Sequence, residues 1–256
     1  MRVRSLQGSA RSPSPDPHAM PENRILDLEE LERPEFRRVL ERMDRLVASD
    51  PVSYLHPGKR WEYPWALERA ALRPGARVLD VGSGDSIFPV YLAERGFRVT
   101  AVDLAFGGCA GAYHGVEIDY VEADMRSMPL PSEAFDAVFC ISVIEHLPDD
   151  GVRPALEEMR RVLRPGRRLI LTTDYYEDAR AEIWHRSPGL EFRVDWHVFD
   201  EDRLRRLVLE APRWRLEGDL SLEVDWDAVK PRMRAFHGYP YTSVGVVLNR
   251  CGEEGP

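Results

Sequence analysis

The chain has 256 residues, and 43% of them are hydrophobic, which is enough for one sizeable core in a domain of ordinary size with appendages. Its formal net charge of −9 argues against a general nucleic-acid-binding protein, which usually presents a basic face. The sequence contains neither the apolar run of about 18 residues that a transmembrane helix requires nor the apolar core of a signal peptide.

The N-terminal quarter of the chain divides into two parts. Residues 1–22 are rich in serine and proline, and such a segment cannot bury enough apolar surface to offset its ordering entropy, so we expect a disordered tail. Apolar residues then recur every three or four positions from Ile25 to Val47, with an interruption near Pro34. A further helix is expected from Trp61, so the pattern predicts an N-terminal helical segment over residues 23–75.

From residue 76 onward, apolar strands alternate with amphipathic helices, which predicts an α/β domain over residues 76–251 with a parallel sheet covered on both faces. The first five strands are expected at 77–81, 98–102, 117–121, 135–141 and 167–173. Residues 174–199 lack regular alternation and are expected to form a long aromatic loop. A helix with Asp200 as its N-cap, a sixth strand at 213–217 and a seventh at 243–248 complete the pattern.

A glycine-rich turn joins the first of these strands to the helix that follows it. The stretch from Asp80 to Ser86 contains Gly82 and Gly84, and such a turn lets a ligand approach bare backbone at a helix N-terminus. Asp103 ends the second strand about 20 residues after Gly82, the spacing at which a βαβ unit places a carboxylate on a ribose. The sequence therefore predicts a nucleoside-bearing cofactor.

The turn resembles the acid-x-Gly-x-Gly-x-Gly motif of class I S-adenosylmethionine-dependent methyltransferases, with Ser86 in the place of the third glycine. Later segments match the same family in order and with ordinary spacing, at 120–125, 134–147 and 159–172. The series is similar to the small-molecule branch typified by ubiquinone and menaquinone methyltransferases. This resemblance implies a Rossmann-like, doubly wound, seven-stranded and mostly parallel sheet, with the seventh strand antiparallel between the fifth and the sixth.

The resemblance also implies roles for individual residues in binding S-adenosylmethionine. Gly82 and Gly84 would lie against its aminoacyl end, Asp80 would hold the methionyl ammonium, and Asp103 would accept both ribose hydroxyls. The remaining contacts would come from Leu104, packed on the adenine, from Asp124 and the Met125 N–H, bonded to the adenine edge, and from Ile141, near the sulfonium.

Residues beyond the fourth and fifth strands are the candidates for acceptor chemistry. His146 is the predicted catalytic residue, because a neutral imidazole there can take a proton from an acceptor hydroxyl. The alternative is that His146 shapes the loop or contacts the cofactor. The family builds its acceptor pocket in the region of 174–199, which here contains Asp174, Tyr175, Tyr176, Trp184, His185, Asp195, Trp196 and His197. No metal is expected, because the His185, Asp195 and His197 spacing matches no known metal site.

The leading hypothesis is methyl transfer to a small-molecule acceptor, with O- or N-methylation favoured and C-methylation left open. A nicotinamide oxidoreductase is disfavoured by Ile87, which replaces the third glycine of the dinucleotide motif. A non-catalytic regulatory or partner subunit and a protein or RNA methyltransferase remain as alternatives. Residues 141–144 lack the four-residue motif that relatives which N-methylate DNA and RNA carry at the end of the fourth strand.

Neither a membrane nor a nucleic acid is expected as a partner. Three cysteines without ligand spacing favour a reducing compartment, and we expect the cytoplasm.

Overall fold

The computed structural model of the chain describes residues 22–108, 110–184 and 194–252. The predicted disordered tail lies outside these ranges except for Glu22, and so does His185. In the described ranges, no helix has both the length and the apolar character needed to cross a bilayer.

Eleven strands and seven helices form in the described residues. The strands are β1 Asn23–Ile25, β2 Arg77–Val81, β3 Arg98–Asp103, β4 Ile118–Glu122, β5 Phe135–Ile141, β6 Leu163–Tyr175, β7 Arg180–Trp184, β8 Val194–Val198, β9 Trp214–Leu216, β10 Leu220–Ser221 and β11 Thr242–Arg250. The helices are α1 Pro34–Val47, α2 Lys59–Ala70, α3 Phe88–Glu94, α4 Ala110–His114, α5 Asp149–Val162, α6 Glu201–Leu204 and α7 Trp226–His237. Short 3-10 turns cover Leu28–Glu32 and Ile144–His146.

Nine of the described strands form one sheet in the order β10-β1-β11-β6-β5-β2-β3-β4, with β9 also paired to β11. Strands β2 to β6 are parallel to one another, and β11 runs antiparallel to both β6 and β9. The predicted mostly parallel α/β sheet is therefore confirmed, including the antiparallel last strand between the predicted fifth and sixth strands. The described sheet has nine strands rather than seven because β1 and β10 extend one edge.

Helices cover both faces of the sheet and bury a core on each. Along β5, Val138 and Cys140 belong to the core beneath α5 and α6, whereas Ala137 and Phe139 belong to the core beneath α1, α2 and α3. Successive side chains of a strand point to opposite faces, so a strand buried on both faces needs a continuous apolar run. This is why strands β2, β3 and β5 could be predicted at almost their observed bounds.

The helices expected in the N-terminal segment are present as α1 and α2, and the structure differs from the predictions at two places. The N-terminal segment begins with strand β1 rather than a helix, because Asn23 bonds to other parts of the chain: its Nδ2 donates to the Glu217 and Asp219 carbonyls, and its Oδ1 accepts from Val247 N–H at 2.6 Å. The expected loop at 174–199 instead contains the antiparallel pair β7–β8. At the base of this pair, Tyr176 N–H donates to the Phe199 carbonyl at 2.8 Å.

The contact between α2 and β11 gives a test of the packing. A Cβ atom on Gly245 would lie 2.6 Å from the ring of Trp65, which is fully buried and stacks on Trp61 with centroids 5.5 Å apart. We expect Gly245→Ala to lower the free energy of unfolding by about 1–3 kcal/mol, since neither backbone nor indole can move freely. Urea denaturation measures this, with Gly252→Ala as a control because its Cβ would meet nothing within 4 Å. Equal midpoints for both variants would contradict the expectation.

Candidate functional site

A cavity of about 450 Å³ opens at the carboxyl ends of strands β2 to β5. This is the edge at which parallel α/β sheets bind ligands. All predicted cofactor-binding residues except Asp80 line it, namely Gly82, Gly84, Asp103, Leu104, Asp124, Met125 and Ile141. The predicted catalytic residue His146 lines it as well. The fold thus brings together residues spread over more than sixty positions of the sequence.

The glycine turn after β2 is fixed by sterics and by backbone hydrogen bonds. Gly82 has a φ of +71°, and a Cβ there would lie 2.3 Å from Val143, so a side chain is excluded by both conformation and space. The N–H groups of Gly82 and Ser83 both donate to the Val102 carbonyl of β3. Gly84 has a φ of +50°, and its N–H donates to Asp103 Oδ2 at 2.7 Å. The turn therefore presents bare backbone to the cavity.

Asp103 stands at the end of β3 with both oxygens oriented by backbone donors. Its Oδ1 accepts from the Leu104 N–H at 2.7 Å, in addition to the Gly84 bond. Burial raises the pKa of Asp103, and these backbone bonds oppose the shift. Each carboxylate oxygen has capacity for a further donor, which is the arrangement that two adjacent hydroxyls require. Next to it, Leu104 is 68% exposed, an apolar side chain at the cavity wall that a planar ring could cover.

Asp124 is engaged by a neighbour that the sequence analysis missed. The Arg126 guanidinium binds its two oxygens, with Nη2–Oδ2 at 2.5 Å and Nε–Oδ1 at 2.9 Å, and this ion pair lowers the pKa of Asp124. Arg126 itself also lines the cavity. The carboxylate is therefore held as an anion at the cavity edge, and its predicted bond to an adenine amino group would be added to the ion pair.

Asp80 lies in β2 and is not among the residues that line the cavity. The side chain is buried, and its Oδ2 has no hydrogen-bond partner among the described residues. Burial raises the pKa of Asp80 to about 8, with Asp103 adding to the rise and Lys59 opposing it. A buried carboxyl oxygen without a donor is costly, so this position favours a ligand that supplies a positive donor.

The N-terminal cover contributes two charged residues that the sequence analysis did not identify as part of the site. Lys59 lines the cavity, and its Nζ donates to the Ile141 carbonyl at 2.5 Å and to Glu62 Oε2 at 3.2 Å. Glu62 is buried and also accepts from the hydroxyls of Ser142, Thr172 and Ser243 at 2.7–3.0 Å. Glu62 thus joins α2 to the ends of three strands, and it compensates the Lys59 ammonium.

Tyr54 reaches the glycine turn from the loop between α1 and α2. Its N–H donates to the Asp85 carbonyl, and its own carbonyl accepts from the Ile87 N–H, both at 3.2 Å. The side chain lines the cavity opposite Gly84, at which an added Cβ would lie 3.8 Å from the Tyr54 hydroxyl. The loop therefore covers the glycine turn, a long-range contact for which the sequence offered no signal.

The 3-10 turn after β5 places His146 and Glu145 in different environments. His146 is exposed at the cavity wall, and its N–H donates to the Val143 carbonyl. Glu145 is buried and accepts a hydrogen bond from the Thr173 hydroxyl at 3.1 Å. The imidazole is therefore the group of this pair that faces a ligand.

Part of the predicted acceptor region is assembled beside this turn. Asp174, Tyr175, Tyr176 and Trp196 are buried, and Trp196 Nε1 donates to Asp174 Oδ2 at 2.8 Å. The structure does not describe the side chains of Trp184 and Asp195, nor any part of His185. Over the described residues, no group of three or more His, Cys, Asp or Glu side chains is placed to hold a metal ion.

Comparison with known proteins agrees with this geometry. Residues 79–171 match the family model described as a methyltransferase domain. This part of the chain is a methyltransferase domain. The predicted resemblance to methyltransferases is thereby confirmed over these residues, which contain the glycine turn, Asp103, Asp124 and His146.

Two curated relatives of this methyltransferase domain are O-methyltransferases. The ubiquinone biosynthesis O-methyltransferase of Xylella fastidiosa is 36% identical over 108 residues, 39% of this chain and 42% of the relative. The malonyl-[acyl-carrier protein] O-methyltransferase of Enterobacter lignolyticus is 32% identical over 163 residues, 61% of this chain and 60% of the relative. The chain spans about half the length of the curated relatives it matches.

A solved structure shares the fold of the methyltransferase domain over most of the chain. The 1,6-didemethyltoxoflavin-N1-methyltransferase of Burkholderia thailandensis, solved with bound 1,6-didemethyltoxoflavin and S-adenosylhomocysteine, aligns with a TM-score of 0.54 at 17% identity. The alignment covers 88% of this chain and 82% of that one. At this identity the likeness concerns the fold.

Proposed function

We propose that this protein transfers a methyl group from S-adenosylmethionine to a small-molecule acceptor. The observation that carries the proposal is the single cavity wall on which Gly82, Gly84, Asp103, Asp124 and His146 meet. We further propose that it acts in the cytoplasm, for which the unpatterned cysteines are the support, and that neither nucleic acid nor membrane is its partner.

The charges at the glycine turn fit the zwitterionic aminoacyl group of S-adenosylmethionine. Asp80 has the buried oxygen without a donor, which suits the methionyl ammonium, and Lys59 supplies an ammonium on the same side of the cavity, which suits the carboxylate. At the other end, Asp103 suits the ribose and the exposed Leu104 suits the adenine ring. The residues present therefore fit this cofactor over its whole length.

The residues of the chain would act mainly by positioning. When bound, S-adenosylmethionine supplies an electrophilic methyl group. Lys59 and Glu62 fix the Ile141–Ser142 peptide at the end of β5, where Ser142 has a left-handed φ of 49°. The exposed His146 would accept a proton from the acceptor. Holding the reacting groups in line accounts for most of the rate in such a transfer.

The proposal is tested by binding and by label transfer. Calorimetry should show binding of S-adenosylhomocysteine and much weaker binding of NAD. Incubation with methyl-tritiated S-adenosylmethionine and a cell extract should then place the label in small molecules that pass an ultrafiltration membrane. Label retained with protein or RNA would favour the macromolecular alternative, and cofactor binding without any transfer would favour a non-catalytic subunit.

Asp80 makes cofactor affinity depend on pH. With a pKa of about 8, the free carboxyl is mostly protonated at neutral pH, while a bound ammonium favours the ionised form, so binding must release a proton. The dissociation constant of S-adenosylhomocysteine is expected to fall by up to about tenfold per pH unit between about pH 6 and pH 7.5. Calorimetry in buffers of different ionisation enthalpy measures the released proton. The slope should vanish in Asp80→Asn, and a slope that persists there would assign the proton to another group.

We also propose that the reaction needs no metal ion, because the sequence shows no ligand series with suitable spacing. Label transfer is therefore expected to proceed unchanged in EDTA. Transfer that is lost in EDTA and restored by magnesium would contradict this.

A further inference from the structure

Buried carboxylates and aromatic rings lie together beside the acceptor end of the cavity. This aromatic–acid cluster consists of Asp174, Glu145, Trp196, Tyr239 and Tyr241. Asp174 is next to last in β6, and the strand register pairs Ile141, the end of β5, with Thr172. Asp174 therefore lies just past the strand end at which the cavity opens, and Glu145 directly precedes the cavity residue His146.

The two carboxylates of the cluster are buried, and each accepts a hydrogen bond from a neighbouring side chain. Asp174 is 9% exposed, its Oδ2 accepts from Trp196, and among the described residues its Oδ1 accepts no hydrogen bond. Glu145 is 1% exposed and is bonded to the Thr173 hydroxyl. Burial raises the pKa of both groups, and their mutual repulsion raises that of Asp174 further. Both groups would be stabilised as anions by an added positive charge.

The neighbouring cations are already engaged elsewhere. Lys59 donates to Glu62 and to the Ile141 carbonyl. Arg203 is bonded to Asp149 and to the carbonyls of Leu147 and His197. Among the described side chains, three carboxyl groups, Glu62, Glu145 and Asp174, thus lie near these two cations, and Arg203 is paired with Asp149 outside the cluster. A third cation, Lys230, is paired with Glu177. The described part of the acceptor end therefore has more carboxyl groups than cations that pair with them.

The aromatic rings of the cluster favour the same sign of charge. Trp196 meets Tyr241 edge to face with centroids 4.6 Å apart, and Tyr239 stacks on Tyr241 at 5.3 Å. Tyr239 and Tyr241 are only half-buried. Ring faces attract cations, and Lys230 Nζ already lies 5.4 Å from the centroid of the adjoining Tyr176.

We propose that the acceptor is an amine that enters as a cation, with its ammonium group held by Asp174 and by the rings of Trp196, Tyr239 and Tyr241. This rests on the proposed function and assigns its substrate class. An acceptor that carries carboxylate or phosphate groups without an amine is disfavoured by the same charges.

The chemistry of such an acceptor gives the carboxylates a second role. An ammonium has no lone pair, so it first transfers a proton to a cluster carboxylate. The lone pair of the resulting amine forms the N–CH₃ bond while the S–CH₃ bond breaks and its electron pair stays on sulfur. The methylated product carries the positive charge that the sulfonium loses. One proton per turnover passes from the cluster to His146, which follows Glu145 in the chain, and from there to solvent.

The first experiment separates a metabolite extract by ion exchange at neutral pH into cationic, neutral and anionic pools. Each pool is incubated with the full chain and methyl-tritiated S-adenosylmethionine. We expect the label to enter the cationic pool and its product to bind a cation exchanger. Label transfer from the anionic or neutral pool instead would overturn the acceptor class and leave the proposed function standing. The absence of label from every pool would overturn the proposed function and the acceptor class with it.

The second experiment compares Asp174→Asn with Glu41→Gln, a control at an exposed acid on α1. Asparagine retains an oxygen for Trp196, so the fold is expected to persist, and S-adenosylhomocysteine affinity should not change. Label transfer from the cationic pool should fall about tenfold or more in Asp174→Asn alone.

The same variants allow a binding test with tetramethylammonium chloride. This salt should raise the Tm of the wild type and of Glu41→Gln more than sodium chloride does, and more than tert-butanol, a neutral molecule of similar shape, does. An equal rise in Asp174→Asn would overturn the proposal.

Discussion

Asp103→Ala is expected to weaken binding of S-adenosylhomocysteine by about 30- to 150-fold, which corresponds to about 2–3 kcal/mol. The carboxylate is oriented by the N–H groups of Gly84 and Leu104, so both oxygens are pre-positioned for the ribose hydroxyls. Removing it deletes two charge-assisted hydrogen bonds at once and also releases the Gly84 N–H that fixes the turn. Isothermal titration calorimetry on the purified variant measures the change.

A matched control for this substitution is available on the neighbouring strand. Asp119 lies on β4, paired with Thr100 of β3, and it is exposed and does not line the cavity. Asp119→Ala should bind S-adenosylhomocysteine as the wild type does. Equal affinity of Asp103→Ala and the wild type would mean that the ribose lies elsewhere, and the assignment of the whole cofactor would fail with it.

The residues proposed to bind the cofactor could be expected at one cavity from the sequence because their signals are local. A buried strand, a turn with glycines at positive φ and an acid at the next strand end lie within about 25 residues of one another. Gly82 shows the physical reason for this. The position excludes a side chain through its φ and through Val143, so the sequence has little freedom there.

The rest of the site depends on contacts that are distant along the chain. Glu62 bonds to Ser142, 80 residues away, and to Ser243, 181 residues away, and no periodicity encodes such a pairing. One signal was nevertheless present. Glu62 lies between Trp61 and Tyr63 in an otherwise apolar run, and a charged residue inside a buried segment needs a partner. Strand β1 was missed for the same reason, since its partners β10 and β11 lie far along the chain.

His146→Ala is expected to lower the turnover number by about 10²–10⁴-fold while the affinity for S-adenosylhomocysteine stays near that of the wild type. The imidazole is exposed at the cavity wall on the acceptor side, whereas the cofactor contacts proposed above come from the glycine turn, Asp103 and Asp124. The turn that carries it is anchored by the buried Ile144 and Glu145, so the substitution should leave the fold intact.

The measurement is single-turnover label transfer across a pH series, with calorimetry of S-adenosylhomocysteine on the same samples. If His146 takes the proton, label transfer should be slower in His146→Ala than in the wild type at every pH of the series. His146→Gln preserves hydrogen bonding but not basicity, so it should be as slow as the alanine variant. Wild-type turnover in both variants would mean that His146 does not take the proton. The mechanism would then be positioning of the reacting groups, with proton transfer to the Asp174 and Glu145 carboxylates. Loss of cofactor binding would instead place His146 in the cofactor site. S-adenosylhomocysteine binds here without an acceptor, so a residue that only takes a proton from the acceptor cannot change its affinity.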